Sequence, residues 1–176
     1  MTTSHLHLML NHIPLFAMLF GAGVLLYGVL RRQDLASRIG LILFVVAALG
    51  AGGTYLTGEG AEEAVEGQPG VTETAMEAHE EVAFYALIVS IVLGLLALGV
   101  LTVYWGRSIP RIVSSLTLVV ALVAAGTVGY TANTGGKISH PELRTATAMT
   151  QQSPEAEEAG GETEREDGGE VEEEEE

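Results

Sequence analysis

The chain has 176 residues, no cysteine, and a formal net charge of −15 from 23 acidic and 8 basic side chains. The missing cysteine excludes disulfides, thiol catalysis, thiolate metal sites and haem attached through a CxxCH motif. The acidic balance, with no basic patch, excludes a nucleic-acid partner.

Four stretches contain no Asp, Glu, Lys, Arg or His: Ile13–Leu30, Ile39–Gly58, Val82–Gly106 and Ile112–Gly136. Each reaches the roughly 18–20 residues needed to cross a hydrocarbon core about 30 Å thick. The expected fold is therefore all-α, an integral membrane bundle of four transmembrane helices in contact with the lipid bilayer. The helices fall at about 12–31, 38–58, 75–106 and 111–134, within a domain spanning 1–142.

In chain order, the first residues carry no Lys or Arg ahead of the apolar run, and no small-residue cleavage pattern follows it. A cleavable leader is not expected, and the first helix stays in the mature protein. Two starts are open for that helix, near Ser4 or near Asn11, because Pro14 suits a first turn better than an interior. The loop from Arg31 to Arg38 is short and rich in arginine, as is the loop holding Arg107 and Arg111. Short arginine-rich loops stay in the cytoplasm. Both termini and the loop between helices 2 and 3 are then expected on the outer, periplasmic side of a bacterial inner membrane. In the outer loop, Gln68-Pro69-Gly70 signals a turn, and Thr74-Ala75-Met76-Glu77 has capping-box spacing that starts helix 3 near Thr74. Glu62, Glu63, Glu66 and Glu73 read as a solvated surface. Residues 151–176 hold thirteen acids against Arg165, so 143–176 is expected to be a disordered acidic tail.

The two hairpins resemble each other. Each opens with a histidine, turns through arginine and returns through a segment rich in glycine and threonine, Gly52–Gly58 in one and Gly129–Gly135 in the other. Repeats related by an axis along the membrane normal would set the two histidines opposite one another.

All five histidines, His5, His7, His12, His79 and His140, gather at the end opposite the arginines. Imidazole is a common ligand for haem iron and transition metals. A haem b between two helices needs two imidazoles at similar depth beside small residues. The sequence singles out His12 and His79 as axial ligands to haem iron, with Ala83, Ala86 and Ser90 following His79 as a stripe of small residues. His7 is the reserve ligand, because the start of helix 1 is open by two turns. A mixed site for Zn, Fe or Cu from His5, His7, Glu77, Glu80, Glu81 and His140 is a weaker expectation, since no HxxxH or HExxH spacing supports it.

Three segments resemble a family of small bacterial membrane proteins known as domain of unknown function 2231. They are His7-Leu8-Met9-Leu10-Asn11-His12-Ile13-Pro14, then Thr57-Gly58 with His79, then Gly135-Gly136-Lys137-Ile138-Ser139-His140. The resemblance covers about residues 5–142. It implies four helices, a bacterial membrane and, from fusions of relatives to cytochrome-like or Rieske-type modules, redox work. Ser139 and Pro141 depart from the family's usual Tyr and Gly around the last motif.

No nucleophile with a paired base, no phosphate-binding loop and no ionisable residue inside an apolar span is present, which argues against an enzyme and against an ion transporter. The leading function is a small membrane redox or electron-transfer accessory protein with one haem b, and a quinone or periplasmic cytochrome as partner. The alternatives are a cofactor-free structural or accessory membrane protein, and an outer-face metal-binding protein.

Overall fold

The computed structural model describes residues 2–140, which are helical with no strand among them. The expected acidic tail, 143–176, lies outside the described residues. Six helices follow in order: α1 (Thr3–Leu10), α2 (His12–Arg31), α3 (Asp34–Leu56), α4 (Gly58–Val65), α5 (Glu73–Val103) and α6 (Arg111–Ser139). Asn11 keeps helical dihedrals between α1 and α2, so Thr3–Arg31 is effectively one rod. That rod, α3, α5 and α6 are each long and apolar enough to cross a membrane. The protein is a multi-pass membrane protein by this criterion.

The first helix thus begins at Thr3, not near Asn11. Pro14 sits buried inside the rod. Its ring nitrogen cannot donate to the carbonyl of Leu10, four residues back, and α1 ends at that residue. The outer loop starts α5 at Glu73, with Thr72 as the cap: its backbone is extended and its side chain accepts from the Ala75 N–H. The Pro69-Gly70 turn leads into this extended segment, which moves the cap two residues ahead of Thr74.

The spans pack as a closed ring in which α2 lies on α3, α3 on α5, α5 on α6 and α6 on α2. Lipid provides no hydrophobic drive for this association, so close backbone approach must hold it. A Cβ on Gly28 would stand 2.5 Å from Ser37 Oγ and 2.7 Å from the Ser37 backbone nitrogen. A Cβ on Gly40 would stand 2.9 Å from the Gly21 carbonyl oxygen. These glycines let α2 and α3 touch along their length. The core itself is filled by Met18, Leu25, Leu41, Phe44 and Leu93. Leu19, Phe20, Leu49, Leu95, Leu116 and Leu122 point outward and stay exposed, as a lipid-facing surface requires.

At the arginine end one side chain joins the two turns. Arg38 Nε bonds Asp34 Oδ2 at 2.7 Å, and its Nη2 donates to the carbonyls of Tyr104 and Arg107. Asp34 Oδ1 in turn accepts from the Ile109 N–H at 2.8 Å.

The close α2–α3 contact has a direct test. Gly28→Val forces a branched side chain against the Ser37 backbone and is expected to cost about 1–3 kcal/mol, the usual range for overpacking. Gly23, where an added Cβ meets nothing within 4 Å, should accept alanine with no loss. Thermal unfolding of both variants in detergent separates them, and equal behaviour would contradict the packing described.

Candidate functional site

The histidine end of the bundle is organised by two imidazoles that reach to the following helix of their own hairpin. His7, on α1, places Nδ1 3.0 Å from the Thr54 carbonyl oxygen and 3.3 Å from Thr57 Oγ1. A carbonyl only accepts, so Nδ1 carries the proton and donates. Thr57 gives its own proton to the carbonyl of Gly53 or Thr54, at 3.1 and 2.9 Å, which leaves its oxygen as a second acceptor. Thr54 stands in the last turn of α3, where its carbonyl accepts from the Thr57 N–H at 3.2 Å rather than from a residue four positions on.

His79, on α5, repeats this arrangement. Its Nδ1 lies 2.9 Å from Thr134 Oγ1, and Thr134 gives its proton to the Thr131 carbonyl at 2.9 Å. The hydroxyl oxygen therefore accepts from Nδ1–H. Gly135 leaves space for the imidazole, because a Cβ there would stand 3.0 Å from His79 Cε1; Gly58 takes the corresponding place beside His7, at 3.9 Å. Both rings are partly buried. In both rings the unprotonated nitrogen is Nε2, the lone pair a metal would use.

The other histidines stand differently. His12 is exposed, donates Nδ1–H to the Leu8 carbonyl at 2.8 Å, and stacks on Phe16 with ring centroids 6.1 Å apart. Phe16 stacks on Phe20 in turn, and both phenylalanines are exposed. The face of α2 that carries His12 is thus the outward face. The inward face runs through Pro14, Met18, Gly21 and Leu25, continuous with His7 seven residues before Pro14. His12 therefore lies on the outward side of the rod, and His7 follows its inward side. His5 is exposed and bonds Thr2 Oγ1 at 2.8 Å, close to the cap of α1. His140 is exposed, at the end of the described residues.

Ala86 and Ser90, expected as small neighbours of His79, are buried in the core. The Ser90 hydroxyl is buried without a hydrogen-bond partner. Among the described residues no group of three or more His, Cys, Asp or Glu side chains is placed to hold a metal ion, so His5, His7, Glu77, Glu80 and Glu81 do not form one cluster there.

The threonines were missed in the sequence. Their signal is the repeated segment Thr54-Tyr55-Leu56-Thr57-Gly58 and Thr131-Ala132-Asn133-Thr134-Gly135. No family model, curated protein or solved structure matches this chain.

Beside this site, Glu59, Glu62, Glu63, Glu66 and Glu73 line a cavity of about 490 Å³ with Gly67, Val71 and Met76. Burial holds the Glu62 carboxyl above its ordinary range, and the negative charges of Glu80, Glu66 and Glu59 add to the effect. The neutral form is thus favoured by folding. The stability it contributes is present below the ordinary glutamate range and is lost as pH rises through the raised value. Glu62→Gln is expected to raise the melting temperature at pH 7, with the gain vanishing by about pH 4, where glutamate is largely protonated in either state. A gain that persists unchanged at low pH would contradict the charge origin.

Proposed function

We propose that this is a redox accessory protein of a bacterial inner membrane that holds one haem b near its outer face between His7 and His79. The observation that carries this reading is a shared geometry. Two imidazoles on different hairpins, at the same end of the bundle, each set Nδ1 against a threonine oxygen, which assigns the proton to Nδ1 and keeps Nε2 for a ligand. Imidazoles that ligate metals characteristically donate their other N–H to a carbonyl or similar acceptor, which fixes the ring and raises its basicity. A two-histidine set also matches haem, which supplies four of its own nitrogens, better than it matches a free metal ion.

The haem would supply one-electron chemistry. The chain's own residues do the rest: Thr54, Thr57 and Thr134 orient the rings, and the apolar helices below keep water out. The electron partner is a quinone or a periplasmic cytochrome. His12 gives way to His7 in this reading because its ring lies on the exposed side of α2. The same proposal puts the chain in the family of unknown function that its helix ends resemble.

Purified full-length protein from haem-replete cells, reduced with dithionite, is expected to show sharp b-type α and Soret bands. His7→Ala and His79→Ala should each abolish the low-spin spectrum, while His5→Ala, His12→Ala and His140→Ala should leave it. A colourless wild type would overturn the haem reading in favour of a cofactor-free protein whose histidines tie helices together. A spectrum lost in His12→Ala and kept in His7→Ala would overturn the ligand pair.

The proposed orientation, with both termini on the periplasmic side, rests on Arg31, Arg32, Arg38, Arg107 and Arg111 at the opposite end. Gln68 and Ser108 are exposed, whereas Ser37 is buried and unsuited to labelling. A membrane-impermeant maleimide should label Gln68→Cys in intact cells and Ser108→Cys only after permeabilisation. The reverse pattern would invert the protein.

A further inference from the structure

Two shifts in residue number relate the halves of the bundle, and each is fixed by the site alone. His7 corresponds to His79, a shift of 72 (7 to 79). Thr54, Thr57 and Gly58 correspond to Thr131, Thr134 and Gly135, a shift of 77 (54 to 131). The core offers an independent check, because it lies well away from these residues. Under the first shift, buried Pro14, Met18, Gly21, Ala22, Leu25 and Gly28 fall on buried Ala86, Ser90, Leu93, Gly94, Ala97 and Val100, while buried Ala17 and Val29 fall on half-buried Val89 and Leu101. Under the second, buried Ser37, Gly40, Phe44, Ala47 and Ala51 fall on buried Ser114, Thr117, Ala121, Ala124 and Val128, while buried Leu41 and Gly50 fall on half-buried Leu118 and Thr127.

Helical periodicity makes the matches within one helix dependent on one another. Agreement of phase in two helix pairs, each set by the histidine or threonine at its end, does not follow from periodicity. Side-chain size is often interchanged between equivalent sites, as in Gly21 with Leu93 and Phe44 with Ala121, so each half fills space that the other leaves. The packing order agrees too. Exchanging α2 with α5 and α3 with α6 maps the α3–α5 contact onto the α6–α2 contact. This is the contact order that a two-fold relation between the hairpins requires.

We infer that the bundle is an internal duplication in which the Thr-x-x-Thr-Gly segment of each hairpin is the positioning element for that hairpin's histidine. The Thr54 carbonyl and the Thr57 hydroxyl set His7; the Thr134 hydroxyl, its own proton on the Thr131 carbonyl, sets His79. A glycine follows the second threonine in each case, and at Gly135 it admits the ring. The outcome is two equivalent imidazoles in the same metal-ready tautomer, the donor set for a centre with two like axial positions. Their role as ligands rests on the haem reading above, whereas the duplication and the positioning do not.

Histidine-labelled full chain in lipid nanodiscs reports each ring's tautomer by nitrogen chemical shift, with or without haem. In the wild type His7 and His79 are expected as the Nδ1–H form. Thr134→Val removes the nearest acceptor of His79 and should move that ring toward the Nε2–H form while His7 stays unchanged. Thr57→Val should move His7 in the same sense but less, because the Thr54 carbonyl remains. Thr134→Ser should restore the wild-type signal. In the haem-loaded protein, Thr134→Val is expected to weaken haem retention about 10–100-fold and to shift the midpoint potential upward, since a less basic imidazole favours ferrous iron. An Nε2–H ring at either histidine in the wild type, or a His79 tautomer indifferent to Thr134, would overturn the positioning role. Tautomers that respond as described in a protein that takes no haem would sustain the positioning role and remove the haem reading alone.

Discussion

The structure depends on close backbone contact between α2 and α3, made possible by Gly21, Gly28 and Gly40. Helices in lipid gain nothing from burying apolar surface against each other, so van der Waals contact and a few hydrogen bonds must suffice. Contact this close fixes the rotation of each helix. A residue two turns beyond the apolar core then has little choice about which neighbour it meets. His7 meets the end of α3, where its ring bonds the Thr54 carbonyl.

The two ends of the bundle divide the polar chemistry between them. At one end Arg38 and Asp34 tie the two turns through backbone groups of Tyr104, Arg107 and Ile109. At the other, imidazoles tie each hairpin to itself through threonine. The apolar length between them holds no Asp, Glu, Lys, Arg or His. The redox role we propose needs no charged path across it. A site at one face, beside a cavity lined with carboxylates, is also open to a partner approaching from water.

Much of this was legible in the sequence. The four spans follow from length and charge, because an apolar run of that size has no soluble explanation. The gathering of histidine at one end and arginine at the other is visible by eye, and the likeness of the two hairpins is visible in their glycine and threonine endings. The rotation of the first helix was not legible. Amphipathic periodicity marks a buried face only where the opposite face is polar. Ile13–Leu30 is apolar all round, so His12 and His7 were equally able to point inward. Pro14 misled as well, since its preference for a first turn favoured a late start, whereas the rod runs through it from Thr3. The threonine partners escaped notice because hydroxyls in membrane helices usually bond their own helix, as Thr102 and Thr117 do here.

In the haem site we propose, His7 and His79 are equivalent ligands of one iron. Pulsed electron paramagnetic resonance of the oxidised full-length protein, with nitrogen-15 confined to histidine, reads that ligation. Low-spin ferric iron is expected to couple to two imidazole nitrogens with closely similar hyperfine values, and the low-spin signal should be lost when His7 is replaced by alanine. A single imidazole coupling in the wild type, or two couplings that survive the loss of His7, would contradict it.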